Sequence, residues 1–259
     1  MLRPRIIPCL LVHESGLVKS VQFKNYKYIG DPINAVRIFN EKQSDELMLI
    51  DIDATVNKNE PNYKLIQNIA SECRMPLCYG GGIKNVEQAQ NIFSLGVEKI
   101  ALSSILTEKP KLIAEIASKV GSQSVVAVLD IKKKMFGGYE LHTHNGRKST
   151  GINPIEFVKK IEELGAGEIV INSIDQDGMM NGYDLKLVEL IRNSTSLPLT
   201  VLGGAGSMTD IGNLIQNYGI IGAAAGSLFV FKGVYKAVLI NYPSTNEKDN
   251  IINKNILNN

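Results

Sequence analysis

The chain has 259 residues, of which 44% are hydrophobic and 21% charged, and a net charge of +2. That length suits one (β/α)8 barrel or two smaller domains, and the apolar share can fill a sizeable core. The near balance of charge argues against nucleic acid or an anionic membrane as partner, and no apolar run approaches the roughly 20 residues that span a bilayer.

In chain order, short apolar runs alternate with amphipathic stretches. Candidate strands cover Arg5–Val12, Glu46–Ile52, Pro76–Tyr79, Lys99–Leu102, Ser124–Leu129, Glu168–Asn172, Pro198–Leu202 and Gly222–Ala225. Most are unbroken Val/Ile/Leu/Ala runs, the pattern of strands buried on both faces. Among the helices between them, Asn85–Leu95 opens on an Asn cap and stops before Gly96, and Asp184–Asn193 opens on Asp. Eight strand–helix units favour an α/β fold, a parallel sheet closed into a single (β/α)8 TIM barrel over residues 1–240. An open doubly wound sheet is the alternative. The polar tail, residues 241–259, is rich in Asn and Lys from Ser244 onward and is expected to fray.

The chain repeats itself. At a shift of 123 residues Gly80 meets Gly203, Gly81 meets Gly204, Ala101 meets Ala224 and Ser104 meets Ser227. At 122, Glu46 meets Glu168 and Asp53 meets Asp175; at 119, Leu11 meets Asp130. The pattern reads as a duplicated half-barrel, with halves of about 1–120 and 121–240.

In such a barrel the active face lies where strands end. Strand three ends in Gly80-Gly81-Gly82, strand four in Ser103-Ser104, strand seven in Gly203-Gly204-Ala205-Gly206 and strand eight in Gly226-Ser227. Glycine lets backbone N–H groups approach an anion, and serine adds a hydroxyl, so the repeat predicts two phosphate sites across one mouth. The plainer reading is that these glycines only make tight turns. Acids near the mouth are Asp51, Asp53, Asp130, Asp175 and Asp177. Asp130 ends an apolar strand, where a carboxylate is costly unless solvated or paired, so it is the candidate general acid or base, or else a structural carboxylate. Arg5, Glu46, Lys99 and Glu168 stand at four strand starts and could form a salt-bridge ring at the bottom, although spacing alone favours ordinary solvated strand ends.

Cys9, Cys73 and Cys78 are odd in number and widely spaced, matching neither a disulfide framework nor a zinc site. His142-Thr143-His144 has no further ligand nearby and is expected on an exposed hairpin. No metal and no cofactor is expected. Residues 1–12 lack the order of a signal peptide, so a cytoplasmic location is the default.

Arg-Ile-Ile-Pro-Cys-Leu at 5–10, Gly-Asp-Pro at 30–32, Asp-Glu-Leu at 45–47, Gly-Gly-Gly-Ile at 80–83, Val-Gly-Ser-Gln-Ser-Val-Val at 120–126, Gly-Ala-Gly-Glu-Ile at 165–169, Ser-Ile-Asp-x-Asp-Gly at 173–178 and Gly-Gly-Ala-Gly at 203–206 stand in order. Over roughly residues 2–235 the chain thereby resembles the cyclase subunit of imidazole glycerol phosphate synthase (the HisF family). The resemblance implies a duplicated barrel that takes ammonia from a glutaminase partner. It implies a bis-phosphorylated ribulosyl substrate in histidine synthesis.

By that resemblance Asp130 is one of two catalytic aspartates. Gly82, Ser103 and Ser104 hold one phosphate, with Ser103 in place of the family's Asn. Gly178, Gly204, Gly226 and Ser227 hold the other. Lys19 is the basic residue of a mobile first loop. Arg5, Glu46, Lys99 and Glu168 ring the ammonia entrance, which reverses the plainer reading, and Glu98 lies near the docked glutaminase.

One departure stands out. The family's second catalytic aspartate falls at position 11, which is Leu11 here. Losing a general acid typically costs about 100- to 10,000-fold. Leu202 and Cys78 likewise replace small polar residues.

Leu11, with Gly-Leu-Val-Lys at 16–19, residues 31–42 and Ala-Gly-Ser-Leu-Phe-Val-Phe at 225–231, resembles a paralogous branch of the family found with surface-polysaccharide genes. That resemblance implies ammonia supplied to a separate amidotransferase for an acetamidino group on a sugar. Two other readings stand beside it. One is a true histidine-pathway cyclase in which Asp51 or Asp175 replaces the missing acid. The other is a non-catalytic scaffold that activates the glutaminase.

Overall fold

The computed structural model describes residues 3–256. Eight strands hydrogen-bond in sequence order: β1 (Arg5–His13), β2 (Leu47–Asp51), β3 (Leu77–Gly80), β4 (Lys99–Leu102), β5 (Val125–Lys133), β6 (Glu168–Ser173), β7 (Leu199–Leu202) and β8 (Gly222–Ala225). Every neighbour in this ring is parallel. β8 closes onto β1, with Arg5 opposite Gly222 and Pro8 opposite Ala225. Closure rules out the open doubly wound sheet and makes the fold a (β/α)8 TIM barrel.

The strands are apolar throughout because both faces are covered. Successive side chains point to opposite faces. Ile6, Leu10, Leu47, Leu49, Leu77, Ile100 and Ile169 join the core between sheet and helices. Ile7, Cys9, Met48, Cys78, Val126, Val128, Val170, Leu202 and Ala224 form a second cluster that fills the lumen.

Among the described residues eight helices of eight or more residues surround the strands: α1 (Pro32–Glu41), α2 (Tyr63–Glu72), α3 (Val86–Ser94), α4 (Leu112–Val120), α5 (Pro154–Glu163), α6 (Leu185–Arg192), α7 (Met208–Tyr218) and α8 (Thr245–Ile256). The expected caps are made: the Asn85 side chain accepts from the Gln88 amide and the Asp184 side chain from that of Leu187. Ser207 and Asp210 form a reciprocal capping box on α7.

Helix α8 overturns the expectation that the tail frays as far as residue 256. Its start is fixed by Ser244, whose N–H and hydroxyl both donate to Glu247. Lys248 donates to Asp45 at 2.7 Å, Ile252 is buried, and the Tyr242 hydroxyl donates to the Ile6 carbonyl at 2.8 Å. A few anchors hold a segment that composition describes as polar and unstructured.

Two strands run on past the barrel. β1 turns into an antiparallel arm, Gly16–Val21 paired with Lys24–Gly30. β5 pairs with Tyr139–Thr143, which pairs in turn with Lys148–Ser149. Both arms rise over the C-terminal face, where they help to wall the mouth.

Candidate functional site

A cavity of about 410 Å³ opens at the C-terminal ends of the strands. Its polar centre is built on β5 and β6. Asp130 is directly opposite Asn172 in the strand register. Asn172 Nδ2 donates to Asp130 Oδ1 at 3.0 Å, and Ser103 Oγ donates to Oδ2 at 3.1 Å. Burial pushes the Asp130 carboxyl up to about 6, although these two donors favour its charged form. A carboxylate so placed is mostly ionised at pH 7 and can take a proton from a reacting group.

Facing this centre is an apolar wall. Leu11, the neighbour of Ile50 in the register of β1 and β2, packs with Ile50 against the lumen cluster that includes Leu202 and Met48. None of these side chains can exchange a proton, so the mouth holds Asp130 without a counterpart at position 11.

Lys19 lies on the strand Gly16–Val21 of the arm, not in an irregular loop, and is buried. Its ammonium donates to the Cys9 carbonyl. A methyl group added at Gly226 would overlap it, so glycine at 226 admits the cation beside the β8 loop. Desolvation lowers the Lys19 pKa. Asp177 holds the arm down, accepting from Ser20 Oγ at 2.6 Å and from the Phe23 amide at 3.2 Å. Burial raises its carboxyl pKa.

Gly82, Ser103 and Ser104 gather on one side of the cavity, and Gly178, Gly204, Gly226 and Ser227 on the other. Each serine begins or precedes a short helical turn, Ile105–Glu108 or Ser227–Val230. Tight packing also demands two of the glycines: a Cβ at Gly178 would strike the Ser20 carbonyl, and one at Gly204 the Gly182 carbonyl. At these two positions packing alone requires glycine, the plainer of the two readings. Lys58, Lys84 and Lys109 line the Gly82 side and went unnoticed in the sequence.

The other acids separate. Asp51 Oδ1 accepts from the amides of Asp53 and Ala54, and Asp53 accepts from His13 and the Glu14 amide. Asp175 accepts from the Lys133 amide. Asp51 still borders the cavity, with its pKa raised by burial. Asp175 does not border it, which counts against it as a substitute acid. His142 and His144 do lie on a hairpin arm, but His142 is buried, bonded to Gly146 and Glu140, and His144 lines the mouth. Among the described residues no cluster of three or more His, Cys, Asp or Glu could hold a metal. No described helix is long and apolar enough to cross a membrane.

At the opposite end the four strand-start charges meet. Arg5 bridges Glu46 and, at 2.7 Å, Glu168; Lys99 bridges Glu46 at 3.0 Å and Glu168 at 2.9 Å. The ring is closed, alternates in sign and is electrically neutral. Thr200, which the sequence did not single out, joins it by donating to Glu168 at 2.6 Å. Burial would raise the Glu168 pKa, but Arg5 and Lys99 more than offset this and lower it. Between ring and mouth the walls are alkyl groups and two thiols, Cys9 and Cys78, which burial keeps protonated. Glu98 lies beside this end and accepts from the Leu77 amide at 2.8 Å.

Comparison with known proteins matches residues 5–236 to the family model described as histidine biosynthesis protein. A candidate imidazole glycerol phosphate synthase subunit hisF3 of Vibrio vulnificus is 60% identical over 96% of both chains. A candidate HisF subunit of Leptospira borgpetersenii is 59% identical over 96% of this chain and 98% of its own. The imidazole glycerol phosphate synthase subunit HisF of Thermobifida fusca is 36% identical over 88% of this chain and 90% of its own. The chain belongs to the histidine biosynthesis protein family, as a homologue of the HisF subunit of imidazole glycerol phosphate synthase.

Proposed function

We propose that this chain is the synthase-side subunit of a glutamine-dependent complex. A glutaminase docks over the base, near Glu98, and its ammonia crosses the barrel to a phosphate-bearing acceptor in the mouth. The observation that carries this reading is the alignment of three features along one axis: the closed ring of Arg5, Glu46, Lys99 and Glu168, an apolar lumen, and the loops around Asp130. Ammonia is small and neutral and can pass alkyl groups and neutral thiols. Ammonium would need a counter-charge that the lumen cluster lacks. At the mouth the two glycine–serine loops take the phosphates and Lys19 adds charge beside Gly226. Asp130 accepts the proton that the nitrogen sheds as it bonds to carbon.

The names of the relatives and of the family fit the imidazole-forming step of histidine synthesis, the first reading of the reaction, for which the family resemblance implies a bis-phosphorylated ribulosyl acceptor. Leu11 favours a second. With half of the acid–base pair absent, the barrel passes ammonia to a separate amidotransferase, for an acetamidino group on a surface sugar. Either complex is read as cytoplasmic.

The test is glutamine-dependent turnover of the bis-phosphorylated ribulosyl substrate by the chain with its glutaminase. Imidazole product at an ordinary rate supports the first reading. Glutaminase stimulation without product supports the second. Asp130→Asn and Ser227→Ala variants that keep full pathway output would instead make the barrel a scaffold. Absence of any glutaminase binding overturns the proposal.

A further inference from the structure

Asn172 presents an imbalance that the reading above does not use. The residue is 7% exposed and lines the mouth cavity. Nδ2 is committed to Asp130. Oδ1 is buried and has no hydrogen-bond partner among the described residues. An unmatched buried acceptor of this kind is costly, so a fold keeps one where something else supplies the donor.

The surroundings limit what that donor is. Asn172 is the inward residue two beyond Val170 on β6, one step above the lumen cluster. In the strand register it lies between Asp130 on β5 and Leu202 on β7. Gly203 follows Leu202, and a Cβ at Gly203 would sit 3.1 Å from Oδ1. Lack of a side chain there leaves the space beside the acceptor clear. The amide cannot simply rotate: its oxygen would then face the ionised Asp130 carboxylate. Charge at Asp130 thus fixes Asn172 with its oxygen outward.

We propose that Asn172 is the positioning contact for the incoming nitrogen, its Oδ1 accepting one N–H of ammonia where the lumen meets the mouth. Held by one N–H, ammonia keeps its lone pair free to add to the acceptor's carbonyl carbon; the C–N bond forms as the C=O π pair moves onto oxygen, and Asp130, bonded to the same amide, is placed to take the proton that nitrogen releases. One residue thereby orients both nucleophile and base. This rests on the ammonia-transfer reading.

The test uses the full chain without glutaminase, with 15N-ammonium chloride at fixed pH and the bis-phosphorylated ribulosyl substrate. Product nitrogen is counted by mass spectrometry, which detects slow turnover. Asn172→Leu keeps the branched shape and removes donor and acceptor; Asn172→Asp keeps an acceptor and replaces the amide donor to Asp130 by a second carboxyl, which raises the pKa of the pair. We expect Asn172→Leu to raise the KM for ammonium at least 10-fold with little change in the KM for the ribulosyl substrate. Asn172→Asp is expected to hold the ammonium KM within about 3-fold while kcat falls. A loss in kcat alone for both variants would make Asn172 only a support for Asp130 and overturn the inference. A rise in the KM of the ribulosyl substrate instead would show that the donor belongs to that substrate, which also overturns it. If wild type incorporates no 15N at all, the chain does not add ammonia to this substrate and the inference is overturned, whereas ammonia delivery to a separate amidotransferase is judged by glutaminase stimulation instead.

Discussion

Ser20 on the β1 arm donates to Asp177 in the loop after β6 across 2.6 Å, so one hydrogen bond ties the arm to the rim of the mouth. The same carboxylate oxygen accepts from the Phe23 amide. Together they hold Lys19, one residue before Ser20, in its buried place beside Gly226.

Asp177→Ala should therefore free the arm. The variant leaves the Ser20 hydroxyl and the Phe23 amide without an acceptor, a cost of about 1–3 kcal/mol to the docked state. Expected outcomes are faster amide exchange across residues 16–30 and a phosphate-bearing substrate bound about 10-fold more weakly. Exchange rates equal to wild type would show that the arm is held by packing alone.

Glu168→Gln should strike the base of the barrel. Glu168 is bonded to Arg5, Lys99 and Thr200, and its side chain is 6% exposed. Removing one member of a buried charge network typically costs about 3–5 kcal/mol, because the partners stay buried and unmatched. Acid should reproduce the effect. Glu168 titrates below its ordinary value when folded, so its contribution is complete above the unfolded value and is lost as pH falls through the folded one. Wild type should lose stability steeply below about pH 4.5, and Glu168→Gln less steeply, by thermal melts across pH.

The barrel was readable because its strands need no alternation: runs such as Ile169-Val170-Ile171 are buried on both faces. The two glycine–serine loops were readable because the half-barrel repeats them. Three things were not. Asn172 and Thr200 look like ordinary inward strand residues until the register sets one beside Asp130 and the other beside Glu168. The ring was reached through the family resemblance, and from spacing alone read as solvated strand ends, because closure, not spacing, brings Arg5 to Glu168 across 163 positions. The last helix hid behind a polar composition, since its hold on the barrel comes from Tyr242, Lys248 and Ile252.

Asp130 should appear in pH dependence in two opposite ways. Its folded pKa, about 6, lies above the ordinary carboxylate value because burial disfavours the charge. As a base it works when ionised, so turnover should rise through about pH 6 and then level off. Stability should move the other way: the carboxyl costs nothing below its unfolded value and destabilises as pH rises through the folded one. Asp130→Asn should thus abolish turnover yet be more stable at pH 7.5, by on the order of 2 kcal/mol. Equal melting at pH 7.5 would mean that Asn172 and Ser103 fully compensate the charge.

Leu11→Asp is the substitution that separates the two reactions open to this chain. Leu11 adjoins Ile50 in the strand register and packs at the lumen edge with no acid in place to serve as Asp130's counterpart. A carboxylate there enters an apolar wall and should lower stability by about 1–3 kcal/mol. Desolvated by that wall, it should titrate above the ordinary carboxylate value. Turnover of the bis-phosphorylated ribulosyl substrate should then gain a falling limb at high pH, turning a single rise into a bell. If wild type is inactive and Leu11→Asp gains about 100-fold or more, the substrate site is intact and only proton transfer was lost, which favours ammonia delivery to another acceptor. If wild type already turns over at an ordinary rate, Leu11 is tolerated. The proton then moves through another group at the mouth, Asp51 first among them, because Asp51 borders the cavity and Asp175 does not.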